Sequence, residues 1–370
     1  MSGIVGSKLN IRGSGLVGSL GTDGQHLLSS GAGVSNVFET SVGGVSSRND
    51  VINGGFVVNQ EKVTSPGDDD YTIGDLFLCV HEGSGPTTSL QTSGGPQGDR
   101  NFIRLDHQAN NQSGLVYFMT NDAVQDYIAD GKISWSIKAK TTAATIGTIR
   151  MGIIKWNSTA DSITSDVVGT WAQDGTDPTL ATNWSYENSP ADIDITTSWV
   201  EYKVENITVD SDTNNIGLFV WVDDGTITGN DILDTTEWQV NPGATANSFS
   251  SPPKSSIHND VQWFLKRLDF DNASVEPVSN SAQTDTTTIM RAVIHYGEMR
   301  SAPTVTTSAA GTFICNDTSV EPVGTSITTA TVGRHNIRLD VTTSGLTTGR
   351  GCNLRRHLTD TTFIQFDSRL

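Results

Sequence analysis

Short runs in which apolar and polar residues alternate constrain this chain more than any other feature. GKISWSIKAK (Gly131–Lys140) puts Ile133, Trp135 and Ile137 on one side and Ser134, Ser136 and Lys138 on the other. Only a strand with one buried face gives that period. SWVEYKVENITV (Ser198–Val209) sets Trp199, Glu201 and Lys203 against Val200, Tyr202 and Val204. NIGLFVWVDD (Asn215–Asp224) is mostly apolar, as a central strand should be. NGGFVVNQ, YTIGDLFLCV, TIRMGIIKW and DTTEWQVN supply further strands at similar intervals. Strands so spaced and joined by long polar loops predict a two-sheet sandwich.

Composition agrees. Apolar residues make up 35% of the 370, and the remainder is rich in Thr, Ser, Gly, Asp and Asn, which favour strands and turns over helices. The length suits two domains or three small ones. Two helices stand out. NDAVQDYIADGK has Asn121 as an N-cap candidate and stops at Gly131. SSIHNDVQWFLKRLDF places Ile257, Val261, Phe264, Leu265 and Leu268 on one helical face after a Pro-Pro stop, which predicts a linker helix over 257–280. Beyond it, TTIMRAVIHYGEMRSAPTVTTS, RHNIRLDVTTSG and TFIQFDSRL predict a smaller β unit over 281–370. A unit of about 85 residues is marginal unless association buries more of it.

Residues 1–45 are Gly- and Ser-rich and cannot order themselves, because glycine loses the most backbone entropy on folding. The apolar pairs Ile4-Val5, Leu16-Val17 and Leu27-Leu28 recur between glycines and suit small feet docked on another surface. The sandwich is expected over 46–256. A net charge of −18 disfavours nucleic acid as a partner. No apolar run approaches about 20 residues and the opening residues lack an apolar signal core, so no membrane insertion is expected and synthesis in a cytoplasm is. Cys79, Cys315 and Cys352 are far apart and form no CxxC pair; Cys79, inside LFLCV, reads as a buried free thiol.

No residue set reads as catalytic. There is no Gly-x-Ser-x-Gly elbow, phosphate loop or His-Glu-x-x-His, and the seven histidines show no ligand spacing. No cofactor is expected beyond a structural calcium ion, for which Asp223 and Asp224, or Asp68 to Asp70, are the candidates. The plainer alternative is that these carboxylates cap turns. Trp135, Trp199 and Trp221 sit in predicted strands and are expected in the core. Trp171, Trp184 and Tyr186 fall in the long polar stretch GTWAQDGTDPTLATNWSYENSP and are the candidates for stacking on a sugar, or else for pinning that loop to the sheet.

Taken in order, NGGFVVNQ with YTIGDLF, FMTNDAVQDYIADGKISWSIKAKTT, TSWVEYKVENITV, NIGLFVWVDDG, TTEWQVNPGATANSFSSPP and GEMRSAPTV with FIQFDSRL resemble bacteriophage virion proteins of the tail-fibre type that carry a jelly-roll domain like a carbohydrate-binding module. The chain departs from that pattern in NDVQWFLKRL, where Trp263 and Phe264 replace a Cys and Tyr pair. The resemblance implies an all-β protein: an extended Gly-rich N-terminal segment, a jelly-roll sandwich and a smaller C-terminal β domain. It also implies a non-enzymatic homotrimer in the virion, anchored to other virion proteins through its N-terminus and presenting the sandwich to host-surface polysaccharide. A capsid decoration or cement protein and a glycan depolymerase are the alternatives.

Overall fold

Threonine-, valine- and isoleucine-rich runs become strands throughout the chain, as branched side chains favour. The computed structural model describes residues 48–61, 70–81, 83–97, 100–107, 112–142, 146–164, 166–172, 175–223, 227, 229–271, 276–317, 320–357 and 361–370, with two short strands before them. Those two, β1 (Gln25–Leu28) and β2 (Val37–Thr40), pair antiparallel, with Leu27 opposite Phe38 and Leu28 opposite Val37. Ile4, Val5, Leu16 and Val17 lie outside the described residues.

Residues 49–370 form one compact unit with two main cores. Its first part contains β3 (Tyr71–Ile73), β4 (Phe77–His81), β5 (Thr87–Gln91), β6 (Phe102–Asp106), β7 (Ser113–Met119), α1 (Asn121–Asp130), β8 (Lys132–Thr141) and β9 (Thr148–Trp156). The short strands β10 (Val168–Thr170), β11 (Thr179–Leu180), β12 (Trp184–Tyr186) and β13 (Ile193–Asp194) follow, then β14 (Val200–Thr208), β15 (Asn215–Val222) and β16 (Ile232–Pro242). All pairings are antiparallel. One sheet runs β12-β9-β15-β7-β4-β3 with β13 also on β9, and the other runs β14-β8-β16-β6-β5. The two make the two-sheet sandwich that the alternation predicts, of the jelly-roll class that the resemblance implies. Ile133, Trp135, Ile137 and Ala139 of β8 are all fully buried between the sheets. Trp238 joins them, its ring 5.2 Å from Trp135 and 5.1 Å from Phe77. Helix α1 is capped by Thr120 rather than Asn121 and ends at Gly131, whose φ of 76° is easy for glycine.

β15 is buried on both sides. Ile216, Leu218, Val220 and Val222 face the sandwich core, while Phe219 and Trp221 enter a second apolar layer on the outside of the larger sheet. Residues around β10 to β12 cover that outer face, with Val167, Val168 and Trp184 buried against Leu78, Val116, Ile154 and Trp156. The unbroken apolar run NIGLFVWV therefore reflects two interfaces.

The helical spacing through Leu268 is not followed. Helix α2 (Lys254–Gln262) stops short, and β17 (Leu265–Phe270) is a strand. It pairs residue for residue with the last strand, Leu265 opposite Asp367 through Phe270 opposite Thr362. Sheet pairing over six residues outweighs a local helical preference. The remaining strands are β18 (Pro277–Thr284), β19 (Ile289–His295), β20 (Thr304–Thr307), β21 (Phe313–Asn316), β22 (Ser326–Val332), β23 (Asn336–Thr342), β24 (Gly351–Arg356) and β25 (Thr362–Asp367). They form a three-stranded sheet, β17-β25-β20, and a six-stranded one, β21-β24-β18-β19-β23-β22. Met290, Ala292 and Ile294 of β19 point into the shared core, with Leu339, Leu354 and Phe366. Cys79, Cys315 and Cys352 are free and buried; burial pushes the Cys79 thiol up to about 12 and the Cys352 thiol to about 11.

Polar contacts weld the two β parts together. Arg369 donates through Nη1 to Glu61 Oε2 at 2.7 Å and to the Asp75 carbonyl at 2.8 Å. Its other nitrogens hold Asp367, and Gln365 Nε2 donates to Glu61 Oε1 at 3.0 Å.

Candidate functional site

The loop aromatics serve the second apolar layer. Trp184 is 6% exposed, its ring 5.2 Å from Trp156 and 5.5 Å from Phe118. Tyr186 is half-buried beside Trp221 and donates its hydroxyl to the Pro178 carbonyl at 3.1 Å. Trp171 is half-buried with its ring 6.1 Å from Phe219. All three fasten residues of the β9–β14 connection to the sheet, which leaves Trp184 no free ring face.

Asp223 is committed to a cation already present. Its Oδ2 accepts from Arg150 Nε at 2.7 Å and from the Gly175 amide at 3.0 Å, and its side chain is fully buried. Asp177 and Asp192 complete the ring of carboxylates around Arg150, each at 2.6 Å. Burial alone lowers the Arg150 guanidinium; the three carboxylates outweigh it and hold the group above its ordinary value. A guanidinium in this position repels a calcium ion from Asp223. Asp224, Asp68 and Asp69 lie outside the described residues, and Asp70 accepts from the His81 amide at 2.9 Å. Among the described residues, no group of three or more His, Cys, Asp or Glu side chains is placed to hold a metal ion.

The outer face of the five-stranded sheet is built differently. Inward residues of β8 alternate with Ser134, Ser136, Lys138 and Lys140 on that face. On β16, Asp234 lies opposite Lys140 and Thr236 opposite Lys138. A bulge then intervenes, since Gln239 is the next partner, opposite Ser136. Glu237 takes a left-handed φ of 53° there, and Trp238 turns inward. The bulge thus adds a carboxylate to the outer face without losing a core tryptophan. Gly54 makes room for it: the Trp238 amide donates to the Gly54 carbonyl at 3.0 Å, and a Cβ on Gly54 would lie 2.3 Å from the Trp238 carbonyl oxygen. A second bulge, between Val204 and Ile207 of β14, lets the Asn206 amide donate to Ser134 Oγ at 3.0 Å.

Two ionic rungs result. Asp234 accepts from Arg104 Nε at 2.8 Å and Nη2 at 2.9 Å, with Lys140 Nζ at 3.8 Å. Glu237 lies 2.9 Å from Lys138 Nζ and 3.3 Å from Arg100 Nε. Bonding to Asp234 raises the Arg104 guanidinium further, so its charge is permanent. Beside the rungs stands Trp199, just before β14. It is half-buried rather than in the core, with its ring edge-on to Phe102 at 5.1 Å and Lys140 Nζ 5.0 Å from its centroid. Its Nε1 donates to the Gly94 carbonyl at 3.0 Å, which fixes the ring across the sheet. Ser136 Oγ is buried on the same face without a hydrogen-bond partner. A fixed indole beside convergent charged donors offers a stacking surface and hydrogen bonds to a polar, hydroxyl-rich ligand. The expectation of a core Trp199 fails because alternation cannot tell the inner face from an outer face that also carries an aromatic.

A cavity of about 330 Å³ lies at the junction with the C-terminal β part, lined among others by Leu76, Leu78, Phe118, Ile163 and Phe264. Arg369 in its wall is already bonded to Glu61 and Asp367.

No protein-family model and no curated protein matches the chain. Solved structures do resemble it. TmCBM61 in complex with β-1,4-galactotriose is 12% identical and covers 53% of this chain and 99% of its own, with a TM-score of 0.30. A family 11 carbohydrate-binding module from Clostridium thermocellum, in complex with a β-1,3-1,4-mixed-linked tetrasaccharide, is 11% identical over 49% of this chain and 96% of its own, with a TM-score of 0.28. An exo-β-agarase is 8% identical over 70% of this chain and 34% of its own, with a TM-score of 0.29. Identities and TM-scores this low say nothing of what this chain binds.

Proposed function

We propose that this protein is a non-enzymatic glycan-binding protein that uses the outer face of its five-stranded sheet. The observation that carries the reading is Trp199: a fixed, half-buried indole whose centroid lies 5.0 Å from Lys140 Nζ, on a sheet face that also carries Lys138, Arg100 and Arg104. The other sheet's outer face is covered by the residues around Trp184, so among the described residues it offers no comparable surface. Stacking on one ring contributes on the order of 1 kcal/mol, and useful adhesion therefore needs several copies acting together. That requirement favours the finer reading drawn from the sequence resemblance: a trimeric phage appendage in the virion, anchored through residues 1–45 and touching host polysaccharide. Catalysis is not part of the reading, because Asp234 and Glu237 are each neutralised by two cations.

The test is a panel of polysaccharides immobilised in native gels, run with the full chain. Retardation by at least one polymer is expected, without release of reducing ends. Unretarded migration through every polymer would reject glycan binding, and release of sugar would reject the non-enzymatic reading.

A further inference from the structure

We propose that the glycan taken by this face is polyanionic, carrying uronate or sulfate groups along its length. The inference rests on the glycan reading above and adds the chemical class of the ligand. It comes from where the charges sit. The chain holds 41 acidic and 23 basic residues. The two buried cations of the larger sheet reflect that excess: Arg150 meets Asp177, Asp192 and Asp223, and Lys155 meets Asp210 and Asp212. The outer face of the five-stranded sheet reverses it. Its rungs hold four cations against two carboxylates.

Exposure sharpens the difference. The side chains of Arg100, Arg104, Lys138 and Lys140 are 34%, 27%, 25% and 19% exposed, whereas Asp234 and Glu237 are 0% and 4% exposed. The anions sit at the bottom and hold the cations upright; solvent meets the cations. Asp106, half-buried near Arg104, offsets one positive charge, and Glu201 pairs with Lys203 at the sheet edge at 3.1 Å. A positive excess remains. Lys138 and Lys140 are two residues apart on one strand, so the rungs repeat every ~7 Å. Each ammonium and guanidinium keeps donors beyond those its carboxylate uses. A row of part-exposed cations on a low-dielectric sheet attracts anions at intervals, with Trp199 to stack on the ring that bears them. A neutral glycan leaves those charges unanswered.

Matched polymers separate charge from sugar. The full chain is titrated with polygalacturonate and its methyl ester, with dextran sulfate and dextran, and with a single-stranded DNA oligonucleotide. An anionic member should bind about tenfold or more tightly than its neutral partner, and that binding should weaken about tenfold between roughly 0.05 and 0.5 M salt. The double variant K138Q/K140Q should lose about fivefold or more, while K138R/K140R retains binding. Equal or tighter binding of the neutral partners would overturn the polyanion inference and leave the glycan reading standing. Binding of no polysaccharide would overturn both. DNA bound as tightly as the anionic glycans would overturn the inference by showing that charge alone is read. Should K138Q/K140Q fail to fold, the matched pairs on the unaltered chain still decide.

Discussion

Arg369, next to the last residue, donates to Glu61 ahead of the first sandwich strand, across 308 positions of sequence and 2.7 Å of space. Both side chains are largely buried, at 15% and 11% exposure. Removing Glu61 takes one of two carboxylates from a largely buried guanidinium that keeps Asp367, a loss of about 1.5–3 kcal/mol for a charge-assisted bond. Glu61→Ala should therefore lower the melting temperature and, in calorimetry, split one transition into two as the C-terminal β part separates. A single unshifted transition would show that the apolar contacts alone hold the joint.

Trp184 tests the second apolar layer. Its replacement by Ala removes a ring packed on Trp156 and Phe118 and should cost about 3–5 kcal/mol. Limited proteolysis should then cut between β9 and β14 first. Glycan binding by the folded variant should be unchanged; a selective loss of binding would return Trp184 to the ligand site.

Gly54→Ala probes the bulge. The added Cβ meets backbone, 2.3 Å from the Trp238 oxygen, where no side chain rotation helps. Overpacking of this kind costs about 1–3 kcal/mol or more. Chemical denaturation should register that loss, and a variant as stable as the parent would mean the bulge tolerates a shift.

Asp75 governs one part of the acid response. It is fully buried, at a φ of 70°, and accepts from the Gln60 and Glu61 amides at 2.6 and 2.9 Å. Burial raises its carboxyl above the ordinary 3.8, and the amide bonds pull it partly back. The folded protein thus takes up this proton before the unfolded chain does. Its contribution to stability grows as pH falls through the raised value and levels off below 3.8. Melting temperatures across that window should rise for the parent relative to D75N, which carries no titrating group there. A difference between the two that stays constant with pH would contradict the assignment.

The strands of the sandwich were legible because Ile133, Trp135 and Ile137 alternate with the polar Ser134, Ser136 and Lys138 on the opposite side of the strand. Helix α1 was legible through Gly131. Leu265–Phe270 was not, since its pairing with β25 depends on residues almost 100 positions away. Nor was the proposed binding face. Its key carboxylate, Glu237, points outward only because of a bulge, and a bulge breaks the period on which the reading depends. For Trp171, Trp184 and Tyr186 the sequence left sugar platform and loop anchor open, because the residues they pack on, Phe118, Trp156, Phe219 and Trp221, lie elsewhere in the chain. A long polar stretch hides its few anchors when the surface they cover lies on other strands.

Trp199 bears the most weight. Isothermal titration of Trp199→Ala against a polysaccharide bound by the parent, with circular dichroism to verify the fold, measures its role directly. Affinity should fall about tenfold or more, as for a central aromatic anchor, while Trp171→Ala binds like the parent. A folded Trp199→Ala variant with undiminished affinity would contradict binding at the five-stranded sheet.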